Sequence, residues 1–316
     1  MPSDLPAPSD PPGSSVPTDL CCPICAAPLR ASERAFACDA GHSFDRARQG
    51  YVNLLRPTRL RGDSAEMLRA RRRVLDAGWY APLAEALAQQ VGAWLAADGA
   101  ALPLASRALL DLGCGEGYYL RRLSEALGEP LAAQGWRLYG LDLAKDAIRM
   151  AAGLAAGHAP PAQAIPTTWV VASARARLPF ADTGVGALLN IFAPRAAEEF
   201  ARVVAPGGLL LVVTPLAEHL AEARAALPWL LSPQPDKDER LRATLESAFA
   251  LEEARPVSFT LALDAAALAD LARMTPHRDA EPVALEAAAC AATERAPDGR
   301  LSVRAACLVR RYRRRA

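Results

Sequence analysis

The chain has 316 residues, 52% of them apolar, and its formal charges nearly cancel at +1. That is enough apolar material for one large domain or two smaller ones. The charge balance excludes a global field that would draw in nucleic acid or a membrane surface, so any such contact must come from a local patch. No run of about 20 apolar residues is present to span a bilayer.

Residues 1–18 are rich in Pro, Ser and Asp and lack the apolar core of a secretory signal, so they read as a disordered tail. Seven cysteines, four of them within residues 21–38, do not follow the spacing of a secreted disulfide framework. A cytoplasmic location is the expectation.

Residues 19–58 read as a small metal-stapled module. Cys22-Pro-Ile-Cys25 is followed, after twelve intervening residues, by Cys38-Asp-Ala-Gly-His42. Three thiolates and one imidazole in this spacing suit tetrahedral Zn²⁺, and four protein ligands leave no open position, so the ion should be structural. Cys21 makes the register ambiguous; Cys22 is preferred as the first residue of a Cys-Pro-x-Cys knuckle. Cys114, Cys290 and Cys307 read as small buried apolar residues.

A helical linker is expected over 59–100. Gly62-Asp63-Ser64 offers an N-cap for a helix through Asp76, Gly78 a stop, and 82–98 a second helix. Between Arg46 and Arg73 lie nine arginines against Asp63 and Glu66. Arg69, Arg72 and Arg73 share one helix face opposite Met67, Val74 and Leu75. With Phe44 and Tyr51 nearby, this suits phosphate and stacked-base contacts on RNA.

Residues 101–316 alternate strands and helices. The expected strands are 107–112, 136–142, 168–172, 185–191 and 208–214; the expected helices are 117–127, 145–155 and 195–204. A helical insertion near 216–250 precedes late strands at 257–263 and 301–309, around a helix near 264–274. The rhythm predicts an α/β, doubly wound, Rossmann-like sheet.

The first strand runs into Asp111-Leu-Gly113-Cys-Gly115-Glu116-Gly117, a glycine turn that lets a ligand approach backbone. Asp142 ends the second strand, where an acid accepts hydrogen bonds from ribose hydroxyls. Val170–Ser173 would edge an adenine, with Leu178–Asp182 as the loop that follows. Asn190-Ile-Phe-Ala-Pro194 ends the fourth strand, and Ala205–Gly208 turns into the fifth. Together these resemble class I S-adenosylmethionine (SAM) methyltransferases.

From Cys22 to about Thr275 the chain also resembles the RlmA-type 23S rRNA guanine-N1 methyltransferases. The resemblance rests on Cys-Pro-x-Cys, Gly41-His-Ser-Phe-Asp45, Gly50-Tyr-Val-Asn-Leu-Leu55, Gly62-Asp-Ser-Ala-Glu-Met67, Leu75-Asp-Ala-Gly-Trp-Tyr80 and the glycine turn. It implies SAM-dependent methylation of guanosine N1 in a 23S rRNA hairpin, zinc on Cys22, Cys25, Cys38 and His42, and a homodimer. It also implies that Tyr80 and His219 approach SAM; from the residues alone, His219 reads as a helix-surface position. Gly62–Met67 and Gly113–Tyr119 look like the branch common in Gram-negative bacteria, whereas Asn190–Arg195 and Asp236-Lys-Asp238 look more like the resistance branch, so the target guanosine stays open.

Methyl transfer from a sulfonium is an in-line displacement governed by positioning. Asn190 is a candidate to hydrogen-bond the guanine edge, and Phe192 or Tyr51 to stack on it. Set against this are a small-molecule or protein methyltransferase and a non-catalytic zinc-ribbon RNA-binding protein. If the modules have separate jobs, zinc removal should abolish RNA methylation and spare SAM binding.

Overall fold

The computed structural model describes residues 16–157, 165–232, 243–275, 281–296 and 298–316. Near the N-terminus, β1 (Val16–Cys21), β2 (Pro28–Ala31), β3 (Ala35–Ala37) and β4 (Ser43–Asp45) form an antiparallel sheet in that order. Val16–Thr18, expected in the tail, belong to β1; residues 1–15 lie outside the described residues.

The second sheet contains β5 (Val52–Asn53), β6 (Ala108–Leu112), β7 (Arg137–Asp142), β8 (Thr167–Val171), β9 (Val185–Ile191), β10 (Val204–Pro215), β11 (Phe249–Leu263) and β12 (Leu301–Arg314). Their order is β11-β12-β10-β9-β6-β7-β8-β5. The run from β10 to β8 is parallel, and β12 and β11 are antiparallel additions. Every residue of β6 and β9 is buried, as expected of strands covered on both faces by helices. The order of strand addition reverses at β6, which pairs with β7 on one side and β9 on the other, and ligands bind outside the strand ends at such a point.

The helices are α1 (Ala65–Asp76), α2 (Ala81–Ala97), α3 (Tyr118–Ala133), α4 (Lys145–Gly157), α5 (Ala197–Val203), α6 (Ala221–Ala226), α7 (Ala265–Met274) and α8 (Pro282–Glu294). Ser64 caps α1 as expected, its side chain accepting from the Met67 N–H at 3.2 Å. Helix α8 was not anticipated. It is alanine-rich and apolar on most sides, so no stripe at helical spacing marks it. Cys290, expected to be buried, is exposed on it. Within the expected helical stretch 216–250, α6 is short and β11 already begins at Phe249; Asp236–Asp238 lie outside the described residues.

Strand β5 joins the edge of the large sheet, pairing in parallel with β8, and the Leu54 N–H donates to the Val171 carbonyl at 2.9 Å. The small sheet is likewise docked on the large one. Asp19 holds Arg137 through two hydrogen bonds of 2.5 and 2.9 Å, and the Cys21 N–H donates to the Pro179 carbonyl at 2.9 Å. Leu20, Leu29 and Phe36 share one apolar cluster with Val170, Leu178 and Phe180. The metal module and the sheet therefore form a single packed body.

Candidate active site and metal centre

Two turns bring the four metal-ligand candidates together. In the first, Ala26 adopts a left-handed conformation and its N–H donates to the Cys22 carbonyl; in the second, the Gly41 N–H donates to the Cys38 carbonyl. The ligand atoms of Cys22, Cys25, Cys38 and His42 all lie within 4.8 Å of one another. Cys25 Sγ and Cys38 Sγ are 3.7 Å apart, and His42 Nδ1 lies 3.6 Å from Cys22 Sγ and 3.5 Å from Cys38 Sγ. A tetrahedron with Zn–S of about 2.3 Å and Zn–N of about 2.0 Å has edges of roughly 3.8 and 3.5 Å, so the cage fits Zn²⁺. Cys21 is not part of it: the register resolves to Cys22.

At the switch point, the glycine turn wraps the end of β7. The N–H groups of Gly113 and Cys114 both donate to the Leu141 carbonyl, at 2.8 and 3.1 Å. Gly113, Gly115 and Gly117 all hold positive φ, a conformation that glycine adopts without a steric penalty. At Gly117, packing adds a second demand, because a Cβ there would stand 2.4 Å from the Trp169 ring. The glycines serve the protein's own packing as well as ligand approach.

Three acids line this turn. Asp111 is 1% exposed and neither carboxylate oxygen has a partner; Glu116 is equally buried, with Oε1 unpartnered. Burial, reinforced by the charges of Asp142 and Glu116, pushes the Asp111 carboxyl up to about 8. Burial also raises Glu116 and Asp142. Asp142 Oδ2 accepts from the Gly115 N–H at 3.0 Å and Oδ1 from the Ala144 N–H at 2.8 Å. Unpartnered buried carboxylates cost free energy unless a cation or donor meets them, so this cluster is shaped for a positively charged ligand.

Asn190 is fully buried at the end of β9. Its amide donates to the Pro194 carbonyl at 3.0 Å, which holds the loop, and Oδ1 is unpartnered. Phe192 is 41% exposed at a φ of 52°, an uncommon conformation for a bulky residue, and its ring centre lies 5.9 Å from that of His219. His219 is half-buried in a turn before α6, not on a helix surface. Its Nδ1 lies 3.1 Å from both the N and O of Ala306, and burial lowers it to about 4, so it is neutral near pH 7. Tyr80 is buried with its ring edge-on to Phe259. Tyr51 is buried against the apolar core, so it offers no ring for stacking; it leads directly into β5, and the core takes its side chain.

The arginine face on α1 is largely occupied within the protein. Arg73 makes a two-pronged pair with Asp270, both hydrogen bonds at 2.6 Å, and Arg72 pairs with Asp76 at 3.2 Å. These contacts dock α1 on α7 and settle its own last turn, leaving exposed Arg69 of the three. The exposed arginines cluster earlier, at Arg46, Arg48, Arg56, Arg59 and Arg61.

Residues 20–59 match the family model described as RlmA, N-terminal, a zinc ribbon, and residues 109–208 match a methyltransferase domain. The chain is 41% identical over 269 residues to the 23S rRNA (guanine(748)-N(1))-methyltransferase of Streptomyces fradiae, covering 84% of this chain and 88% of that one. The chain belongs to the 23S rRNA guanine-N1 methyltransferase family. Relatives bearing that family name in Micromonospora griseorubida and Bacillus subtilis (strain 168) are 41% and 31% identical, over 73% and 81% of this chain and 76% and 85% of theirs. SAM, with its ammonium and sulfonium charges, fits the unpartnered Asp111 and Glu116. No helix among the described residues is long and apolar enough to cross a membrane.

Proposed function

We propose that the protein transfers the SAM methyl group to N1 of a guanosine in a 23S rRNA hairpin: the S–CH3 bond breaks to leave the thioether, the N1–CH3 bond forms, and the N1 proton leaves to a base or to water. The observation that carries this reading is the joining of the acid-lined cleft and the Cys3His ribbon in one packed body, through β5 and the Asp19–Arg137 pair. Neither a small-molecule enzyme nor an inactive ribbon protein has use for both. Glu116 and Asp111 face the ammonium end of SAM, Asp142 the ribose, and Tyr80 and His219 the outer wall. The bound SAM supplies an electrophilic methyl group.

Phe192, exposed beside His219, offers its face to the extruded guanine, and stacking of this kind is worth about 1–3 kcal/mol per base. Asn190 Oδ1 is unpartnered but fully buried at the end of β9, so it would accept from the guanine edge only when the loop it holds through Pro194 moves aside. Arg46, Arg48, Arg56, Arg59 and Arg61 contact phosphates; the enzyme works as a homodimer, as the family resemblance implies, and in the cytoplasm, as its cysteine spacing suggests.

The test is incubation with labelled SAM and unmethylated 23S rRNA, followed by mapping of the modified nucleotide. A single reverse-transcription stop at one guanosine is expected. Label confined to protein or small molecules overturns the reading. Phe192→Ala should raise the KM for hairpin RNA and leave the SAM Kd unchanged.

A further inference from the structure

Arg71 takes no part in the roles assigned so far, yet it reaches the cofactor turn. From α1 its Nη1 pairs with Asp63 Oδ2 at 2.6 Å, and its Nη2 stands 3.4 Å from the Met274 carbonyl. The same Nη1 lies 3.4 Å from the point that a Cβ on Gly115 would occupy. The side chain is 25% exposed, so the charge is partly shielded from bulk water yet reachable from the surface beside the glycine turn.

The helix that carries Arg71 is fixed from three sides. Ser64 caps it, the Arg73–Asp270 pair docks it on α7, and Gly62 is pressed so closely on Ala144 that a Cβ would stand 2.6 Å from the alanine Cβ. Ala144 follows Asp142 by two residues, so this clamp holds the start of α1 beside the end of β7. The guanidinium lies in the field of Asp63, Glu116 and Asp142. The nearby Arg121 spends its Nη1 on the Glu116 backbone carbonyl, at 2.6 Å, and thereby braces the turn.

Charge matching then becomes specific. Asp111 and Glu116 suit the ammonium and sulfonium of SAM, but these acids, with Asp142 beside them, repel its carboxylate. That carboxylate needs a cation at the turn, and a guanidinium pairs with carboxylates through two parallel hydrogen bonds. We propose that Arg71 receives the methionine carboxylate of SAM while remaining paired with Asp63, an inference that rests on the SAM reading. Arg71 is thus a cofactor-selecting residue delivered by the segment that links the zinc ribbon to the methyltransferase sheet.

The test is calorimetric titration of the full-length zinc-loaded protein with SAM and with its decarboxylated analogue, comparing wild type, Arg71→Met and Arg71→Lys. A hydrogen bond to a charged group corresponds to roughly 10- to 100-fold in affinity. Arg71→Met should weaken SAM by that factor and leave the analogue within about two-fold, erasing the preference for the carboxylated ligand; Arg71→Lys should restore part of it. Equal losses for both ligands, or no loss for either, overturn the proposal. If Arg71→Met does not fold, Arg71→Lys decides: an unchanged preference overturns the proposal and a several-fold smaller one supports it. Wild-type protein that binds neither ligand overturns the SAM reading itself, an outcome distinct from one confined to Arg71.

Discussion

The zinc ribbon and the cofactor cleft each gather acidic or thiol side chains at tight turns, but they leave those groups in opposite conditions. In the ribbon, Cys22, Cys25, Cys38 and His42 face one another at tetrahedral spacing, and one ion satisfies all four. In the cleft, Asp111 and Glu116 are buried with oxygens that nothing meets, and Arg71 stands at the rim. A closed set is a staple; an open set is a receptor. The two regions also share a body, so the staple supports the receptor.

The largest effect should come from breaking the staple. Structural zinc supplies about 10–16 kcal/mol of apparent folding free energy in small zinc-finger peptides. Here Cys22 and Cys38 lie in the same apolar cluster as Val170, Leu178 and Phe180. Cys38→Ser should therefore lower Tm by the order of 10 °C and weaken SAM binding as well as RNA methylation. This revises the expectation that zinc removal would spare SAM binding. Scanning calorimetry paired with a SAM titration checks it; an unchanged SAM Kd would make the ribbon an independent module.

Next comes the receptor. Asp111→Asn keeps the shape and removes the charge, and SAM affinity should fall about 10- to 100-fold. The ligand-free protein should gain stability, with a definite pH dependence. The folded carboxyl is raised to about 8 from 3.8, so its penalty is absent below the unfolded value and grows as pH rises toward 8. The gain in Tm of the variant should accordingly be larger at pH 8 than at pH 5. Equal gains at both would mean that Asp111 is not held neutral by burial.

The same contrast explains what the sequence made legible. Ligand spacing is local, so Cys22-Pro-Ile-Cys25 and Asp111–Gly117 were readable without a structure. Partners remote in the chain were not. The basic face of α1 read as an RNA surface because nothing in residues 46–73 shows that Asp270, 197 residues beyond Arg73, will pair with it. Strand β11 starts at Phe249 rather than at the expected 257, because Glu252 and Glu253 find matching charges in Arg311 and Arg313 on β12, partners as far as 61 residues away. Tyr51 read as a stacking ring because only the unforeseen strand β5 places it against the core. Arg71 was one of several arginines until Gly115 appeared beside it.

A smaller effect tests the proposed place of His219 in the cofactor wall. His219 is lowered to about 4 by burial, below its ordinary 6.5. A depressed histidine costs stability as pH falls from 6.5 toward 4, because the unfolded chain takes up the proton first; the cost saturates below 4 at no more than about 3 kcal/mol. Urea unfolding at pH 7 and pH 5 should show wild type losing more than His219→Gln does. Parallel losses would place the imidazole in solvent and remove it from the cofactor wall.

The smallest effects separate two ion pairs on one helix. Arg72 and Asp76 are both well exposed, at 39% and 53%, and four residues apart, so Arg72→Ala should cost no more than about 0.5 kcal/mol. Asp270 is only 11% exposed and receives two short bonds from Arg73, so Arg73→Ala leaves this nearly buried carboxylate to the longer 3.4 Å contact from Arg273 and should cost about 1–2 kcal/mol. Because α1 also carries Arg71, that variant should weaken SAM a few-fold, whereas Arg72→Ala should not. Similar SAM affinities in the two variants would mean that the α1–α7 contact does not position Arg71, and that the clamp at Gly62 and Ala144 suffices by itself.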